Sequence, residues 1–160
     1  MTLTLRPLSP EAFAPFGTVT VLAPGLTQGA DPVRLVTEIE NARATARLHV
    51  DFTTAAPSPL PLAARLFERH PSNSQSFIPL AVTRALILVA PAAPSGAPDL
   101  AAAQAFAAGG DQAVTYRAGV WHHPLTALDA PGFFVILTFR TGDDGDTVLF
   151  PLPTKLTIAA

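Results

Sequence analysis

The segment LFERHPSNSQSFIPL, residues 66–80, places two short patterned runs on either side of the turn-forming tripeptide at 71–73. Side chains two apart on a strand point to the same face, so Glu68 and His70 share one face of the first run. Pro, Ser and Asn favour turns, and we expect the chain to reverse there so that Gln75 returns on the neighbouring strand. A carboxylate, an imidazole and an amide are thereby predicted to meet in one small volume.

A second polar segment, VTYRAGVWHHPL at 114–125, contains two of the chain's four histidines. Adjacent side chains on an extended chain point to opposite faces. Only one of His122 and His123 can therefore enter the pocket that Glu68 and His70 are predicted to form.

Apolar and β-branched runs separated by Pro, Gly, Asp and Asn turns recur along the chain, which is typical of an antiparallel sandwich or barrel. We predict a mainly β fold on this basis. The runs are LTLRPL (3–8), TVTVL (18–22), VRLVTEI (33–39), ATARLHVDF (44–52), AARLFERH (63–70), SQSFIPL (74–80), VTRALILVA (82–90), AVTYR (113–117), PLTAL (124–128), FFVILTF (133–139) and TVLFPL (147–152).

One or two short helices are expected within this β pattern. Asp99 can cap an alanine-rich run that Gly109 and Gly110 can end, which predicts a helix over 99–108. A shorter turn of helix is expected after Ser9, because Pro10 suits the first helical position.

Composition limits the classes of function. The chain has 160 residues, 49% of them hydrophobic, so residues 1–160 can form one domain with a sizeable core. It has no cysteine, which excludes disulfides and thiolate metal ligands.

Lys155 is the sole lysine, so nucleic acid is not an expected partner. The N-terminal residues 1–17 lack a long apolar run and predict neither a signal peptide nor a membrane span, which favours a cytoplasmic location.

Several other residues have both a structural and a functional interpretation. The run at 133–139 is predicted to be a strand buried on both faces. Tyr116 is either packing at the mouth of a barrel or a substrate contact. Arg117 and Arg140 are candidate anchors for a substrate carboxylate, because a guanidinium can donate two parallel hydrogen bonds to it.

The spacing of the polar residues resembles the metal-ligand pattern of the cupin superfamily. Residues 68–70 occupy the place of the His-x-His pair, with Glu68 in the first His position, and Gln75 stands where cupins have a Glu. The run at 117–122 matches Pro-x-Gly-x-x-His except that Arg117 replaces the proline. This register selects His122 rather than His123 for the pocket.

The sequence more specifically resembles the ureidoglycolate lyase family. The residues that carry the resemblance are ERHP at 68–71, QSFIP at 75–79, the run from Tyr116 through WHHPL at 121–125, and LSPEAF at 8–13 followed by Phe16-Gly17. The resemblance implies one cupin-like double-stranded β-helix, or jelly-roll barrel, over 1–160, and a homodimer. It also implies cleavage of (S)-ureidoglycolate into glyoxylate and urea, a step of allantoin and purine catabolism.

The resemblance implies roles for the individual residues. Glu68, His70 and His122 are expected to be catalytic, while Gln75, Tyr116, Arg117 and Arg140 are expected to bind substrate. Alternatively, Glu68, His70, Gln75 and His122 hold a divalent metal such as Ni²⁺, since two imidazoles with oxygen ligands suit nickel, manganese, iron or zinc. A pocket that works without metal remains the other possibility.

Two rival functions remain at this stage. The first is a ureidoglycolate amidohydrolase, which would release ammonia and carbon dioxide instead of urea. The second is a cupin without catalytic activity that binds a small carboxylated ligand.

Overall fold

The computed structural model of the protein describes residues 1–22, 27–28, 31–32 and 37–160. Strands form most of this part of the chain. They are β1 (Thr2–Thr4), β2 (Arg6–Pro7), β3 (Gly17–Val21), β4 (Thr27–Gln28), β5 (Asp31–Pro32), β6 (Arg47–Ala55), β7 (Leu62–Arg69), β8 (Gln75–Ala81), β9 (Arg84–Ala90), β10 (Gln104–Gly109), β11 (Gln112–Tyr116), β12 (Trp121–His122), β13 (Thr126–Ala127), β14 (Gly132–Arg140) and β15 (Val148–Ala159).

Two sheets make up the barrel. The eight-stranded sheet runs β1-β15-β7-β12-β9-β10-β2, with β13 also paired to β9, and the five-stranded sheet runs β3-β11-β8-β14-β6. Most pairings are antiparallel; β1 with β15 and β10 with β2 are parallel. The short strands β4 and β5 form a separate antiparallel pair. This arrangement confirms the predicted cupin-like β barrel.

Strand β9 separates two apolar clusters and is buried on both faces. Its residues Ala85, Ile87 and Val89 contact the cluster between the two sheets, which also contains Phe77 and Phe134. The alternate residues of β9 contact a second cluster on the other side of the eight-stranded sheet. A strand buried on both faces takes apolar residues at every position, and RALILVA has them after its first residue.

The prediction that 133–139 is buried on both faces is wrong. Phe134 is 3% exposed and packs in the core, but Phe133 is 38% exposed. The outward face of β14 lies beside β6, where Phe52 is 68% exposed and its ring centroid is 6.5 Å from that of Phe133. The other outward residues of β14 are only half-buried, so this largely apolar strand lies in a sheet with one buried and one partly exposed face.

The helix predicted over 99–108 is also wrong. Asp99 does cap a helical turn, accepting a hydrogen bond from the Ala101 N–H at 3.1 Å, but that 3₁₀ turn covers only Leu100–Ala102. Residues Gln104–Gly109 instead form β10, which pairs with β9 in register. Phe106 is fully buried there, so burial on the sheet outweighs the helix propensity of alanine.

The short helix predicted after Ser9 is confirmed. Helix α1 spans Pro10–Phe13, and the Ser9 Oγ accepts a hydrogen bond from the Ala12 N–H at 3.2 Å. Phe13 at its end is fully buried and anchors α1 to the core. No helix among the described residues is long and apolar enough to cross a membrane.

The strand predicted at 33–39 receives no support. Residues 33–36 lie outside the described part of the chain, and residues 37–39 are not in a strand.

Contrary to our prediction, the turn at 71–73 does not connect two neighbouring strands of one sheet. We expected β8 to return beside β7, but β7 pairs with β12 and β15 in the eight-stranded sheet, whereas β8 pairs with β11 and β14 in the five-stranded sheet. The chain therefore crosses from one sheet to the other at this corner. Gln75 faces Glu68 and His70 across the interior of the barrel rather than along one sheet.

Candidate active site

The first pair of polar residues comes from neighbouring strands. Glu68 on β7 and His122 on β12 are directly opposite in the antiparallel register, so their side chains share a face. The Nε2 of His122 lies 3.4 Å from the Glu68 Oε1. The side chain of Trp121 points the other way, into the second apolar cluster.

The paired histidines separate as the cupin spacing predicted. His122 is 1% exposed and faces the interior, whereas the Nδ1 of His123 lies 2.9 Å from the Pro124 carbonyl oxygen. A tight turn sets this register: Gly119 has a φ of +77°, which favours glycine, and its N–H donates to the His70 carbonyl oxygen at 2.8 Å. The same turn thus holds β12 beside the end of β7.

Gln75 completes the group from the opposite sheet. Its Oε1 lies 3.0 Å from the Nε2 of His122, and it is 6% exposed. His70 follows the last residue of β7, and its ring centroid lies 5.5 Å from that of His122. The structure therefore brings together Glu68, His70, Gln75 and His122, which we call the polar tetrad.

Backbone carbonyl groups fix the tautomers of both imidazoles. The Nδ1 of His70 is 2.9 Å from the Asp146 carbonyl oxygen, and the Nδ1 of His122 is 2.9 Å from the Val120 carbonyl oxygen. A carbonyl only accepts, so each Nδ1 must carry the proton. In the neutral form each Nε2 is then an acceptor, and the contacts of the His122 Nε2 are the Gln75 amide oxygen at 3.0 Å and the Glu68 carboxylate at 3.4 Å.

Acceptor atoms therefore meet at the His122 Nε2, an arrangement that a bound proton or cation would stabilise. The Nε2 of His70 is buried and has no hydrogen-bond partner among the described residues. Ligand atoms of Glu68, His70 and His122 all lie within 4.8 Å of one another. Two imidazoles held by carbonyls through Nδ1, with a carboxylate beside them, are a donor set that can hold a divalent metal ion.

Comparison with known proteins identifies the family. The sequence profile described as "Ureidoglycolate lyase" matches residues 1–158. The chain belongs to the ureidoglycolate lyase family. Its relatives in this family include the "Putative ureidoglycolate lyase" of Agrobacterium fabrum, which is 39% identical over 158 residues, covering 98% of this chain and 94% of the relative.

Two further relatives carry the name "Ureidoglycolate lyase". The Burkholderia cepacia protein is 45% identical over 151 residues, covering 84% of this chain and 78% of its own length. The Azotobacter vinelandii protein is 37% identical over 159 residues, covering 92% of both chains. The family resemblance stated from the motifs is therefore confirmed over nearly the whole chain.

Tyr116 lies between the tetrad and the apolar core of this family member. Its ring stacks on that of His122, with centroids 4.2 Å apart and an interplanar angle of 11°. Its edges meet Phe13 and Phe77 at centroid distances of 5.7 Å and 5.6 Å. Burial and the nearby Glu68 carboxylate raise the pKa of the Tyr116 hydroxyl well above its ordinary value, so the phenol stays protonated.

The environment shifts the pKa values of two tetrad members. Burial raises the pKa of Glu68, but the hydrogen bond with His122 and the electrostatic attraction of His122, His70 and His123 together outweigh burial, so the pKa lies below its usual range. Burial lowers the pKa of His70, although its hydrogen bond to Asp146 opposes the change. At neutral pH the carboxylate is therefore ionised and the His70 imidazole is neutral.

The two arginines make their side-chain contacts elsewhere. Arg140 forms an ion pair with Asp51 on β6, and an Nη of Arg117 donates to the Pro15 carbonyl oxygen at 3.2 Å. Arg117 also lines an open cavity of about 550 Å³ together with Tyr116, and the residues that line this cavity do not include the tetrad. Neither guanidinium contacts the tetrad directly, so their assignment to the substrate carboxylate stays a prediction.

Sequence reasoning missed a second layer of residues behind His70. The Asp146 carboxylate is held by Arg43 at 2.6 Å, and the same guanidinium contacts the Asn73 amide oxygen at 3.3 Å. These residues are far apart in the sequence. The one local signal is the turn-rich run TGDDGDT at 141–147, which does not reveal its partner.

Proposed function

We propose that the polar tetrad is the site at which this chain cleaves (S)-ureidoglycolate into glyoxylate and urea. The observation that carries the proposal is the convergence of Glu68, His122 and His70 in a member of the ureidoglycolate lyase family. Relatives with that name match over most of their length, which supports the same reaction here.

The substrate is a carbinolamide, so the reaction needs a base and an acid close together. Removal of the proton from the C-hydroxyl allows a carbonyl to form while the carbon–nitrogen bond breaks. A proton delivered to the departing nitrogen releases neutral urea. No water is consumed, because the proton lost by the hydroxyl is balanced by the proton gained by the leaving group.

The geometry supports a role for each residue. The ionised Glu68 is suited to accept the hydroxyl proton. His122 has oxygen acceptors at both ring nitrogens, which suits it to carry and deliver a proton from Nε2. Gln75 can accept a hydrogen bond from the ureido N–H, and the neutral His70 is a second acceptor in the same pocket. Tyr116 holds the His122 ring in place by stacking.

For the substrate carboxylate we favour Arg117 over Arg140, because Asp51 already neutralises Arg140. Arg117 lines the same cavity as Tyr116, whose ring stacks on His122. Steady-state kinetics of R117M and R140M separate the two residues. We expect R117M to raise KM by about tenfold or more, whereas R140M leaves it near the wild-type value, in line with about 1.5–3 kcal/mol for hydrogen bonds to a charged group. The reverse order would transfer the anchor to Arg140.

A metal-dependent version uses the same residues. Glu68, His70 and His122, with the Gln75 oxygen, would hold a divalent ion such as Ni²⁺. Such an ion acts as a Lewis acid and lowers the pKa of a bound hydroxyl. Metal analysis of freshly purified protein, with lyase activity measured before and after chelation, tests this version. Stoichiometric metal with activity lost on chelation and restored by the ion supports it; full activity without metal contradicts it.

We further propose a homodimer formed through the outward face of β6 and β14. Exposed apolar side chains line it, including Leu48 (47%), Val50 (50%) and Phe52 (68%). An exposed apolar patch of this kind suits a second copy related by twofold symmetry. Analytical ultracentrifugation should show a dimer for the wild type and a monomer for F52D. An unchanged sedimentation coefficient would reject this face.

The cytoplasmic location and the single domain over 1–160 remain parts of this proposal. The family match to residues 1–158 supports the single domain. Fractionation of cells producing the full chain, followed by immunodetection, tests the location.

Product analysis tests the reaction itself. Purified protein is incubated with (S)-ureidoglycolate, and glyoxylate, urea and ammonia are measured together. We expect one urea for each glyoxylate and no ammonia above the uncatalysed background. Ammonia in place of urea would support the amidohydrolase alternative, and tight binding without turnover would support a binding protein.

A further inference from the structure

The loop at 141–147 connects β14 to β15 and supplies the acceptor for His70. The Nδ1 of His70 donates to the Asp146 carbonyl oxygen at 2.9 Å, with the Thr147 Oγ1 at 3.3 Å. This contact decides which nitrogen of His70 is protonated, and therefore whether Nε2 is an acceptor in the pocket. The loop itself is exposed over residues 142–145, so its position needs an explanation.

The Asp146 side chain, near the end of this loop, bonds to the first two residues of the loop. Its carboxylate accepts hydrogen bonds from the Thr141 N–H at 2.9 Å, the Thr141 hydroxyl at 3.1 Å and the Gly142 N–H at 2.7 Å. Charge-assisted bonds to backbone N–H groups are among the stronger hydrogen bonds in proteins. The carbonyl that contacts His70 therefore belongs to the same residue that fixes the shape of the loop.

Arg43 joins this loop to the corner that follows His70. Its guanidinium lies 2.6 Å from the Asp146 Oδ1 and 3.1 Å from the Thr141 hydroxyl. It also contacts the Asn73 Oδ1 at 3.3 Å, and Asn73 is 1% exposed and donates to the Thr138 hydroxyl at 2.9 Å. The Arg43 guanidinium thus contacts both Asp146, whose carbonyl accepts from the His70 ring, and Asn73, three residues after His70 in the chain.

We propose that Arg43 and Asp146 are positioning residues that fix the Nδ1–H tautomer and the ring orientation of His70, so that its Nε2 is presented to the pocket as an acceptor. The inference rests on the proposed assignment of His70 to the lyase site. Neither residue touches the substrate. Each acts through the loop and the corner that enclose the imidazole.

The test follows the tautomer directly by nitrogen-15 NMR of histidine-labelled, metal-free protein. The wild type should show His70 protonated at Nδ1 alone, with its signals assigned from H70Q. D146N removes the carboxylate charge that closes the loop, and R43M removes the guanidinium that pairs with that carboxylate. In both variants we expect His70 to populate both tautomers. The ion pair of Arg84 with Asp129, 2.7 Å long and more exposed, gives the matched control, and R84M should leave the His70 signals unchanged.

Metal titration and kinetics extend the test. Loss of residues that orient a ligating histidine typically lowers metal affinity or activity by about 10–100-fold, so D146N and R43M should bind Ni²⁺ at least about tenfold more weakly than R84M. A single Nδ1–H tautomer and unchanged Ni²⁺ affinity in both folded variants would overturn the inference. If D146N or R43M fails to fold, the same two measurements are made on R43K, which keeps the positive charge but loses the planar set of guanidinium donors.

These readouts separate the inference from the proposed reaction. A chain without lyase activity would still show whether Arg43 and Asp146 set the tautomer of His70. In an active chain we expect D146N to lower kcat more than it raises KM. A change in stability alone, with the NMR signals and the Ni²⁺ affinity intact, would reduce Arg43 and Asp146 to structural residues.

Discussion

The two ends of the barrel interior differ sharply although the same strands build them. At one end β8 and β14 contribute Gln75 and Thr138, which lie directly opposite each other, and the tetrad is found there. Further along the same strands Phe77 and Phe134 enter the apolar core. The change in side-chain chemistry along a strand marks the boundary between the apolar core and the proposed reaction site.

Tyr116 marks the boundary between these ends. One face of its ring stacks on His122, and its edges pack on Phe13 and Phe77. An aromatic residue with a polar tip suits such a boundary. We therefore expect substitutions on the apolar side to change stability with little effect on turnover, and substitutions in the tetrad to do the opposite.

The largest expected effect lies at the apolar end. Phe106 is fully buried and packs against Phe13 at a centroid distance of 6.4 Å. We expect F106A to lower the free energy of unfolding by about 3–5 kcal/mol, because it leaves a cavity in the core. The folded fraction should retain a kcat near that of the wild type. Chemical denaturation beside steady-state kinetics checks both, with L22A at a partly exposed site as the control.

The next effect lies at the polar end. E68Q keeps the size of the side chain and removes its charge, so we expect kcat to fall by about 100-fold or more while the melting temperature changes little. E11Q, at the exposed start of α1, is the matched control. A wild-type kcat in E68Q would remove the carboxylate from the proposed chemistry.

The smallest effect concerns pH and tests the burial of His70. Its pKa is lowered in the folded protein, so below about 6.5 the His70 side chain binds more protons in the unfolded chain than in the folded one. The free energy of unfolding of metal-free protein should therefore decrease as the pH falls from 7 towards 5.5. H70Q should flatten this dependence, and H49Q, which removes an exposed histidine, should not. A steeper dependence in H70Q would contradict the assignment.

The sequence predicted the members of the tetrad better than their arrangement. Strand alternation correctly placed Glu68 with His70, and the spacing to Gly119 correctly selected His122. The expected return of Gln75 on a strand beside β7 was wrong, since β8 belongs to the other sheet. Local turn chemistry indicates that a chain changes direction, but pairing partners depend on the whole barrel.

Long-range contacts account for what the sequence could not predict. The run at 104–109 is alanine-rich and favours a helix by propensity, yet pairing with β9 makes it a strand. Likewise, no local pattern connects Arg43 with Asp146, which are 103 residues apart in the chain. Propensity and periodicity describe neighbours in sequence, whereas both features depend on neighbours in space.

The adjacent histidines give the most direct test of the claim that the polar end is the reaction site. Turnover of (S)-ureidoglycolate is measured for H122A and H123A under identical conditions, with folding verified by circular dichroism. His122 belongs to the tetrad, and the Nδ1 of His123 lies beside the Pro124 carbonyl oxygen and the Thr126 hydroxyl. We predict that H122A lowers kcat by about 100-fold or more and that H123A changes it by about threefold or less. Equal losses in the two variants, or a larger loss in H123A, would contradict the account.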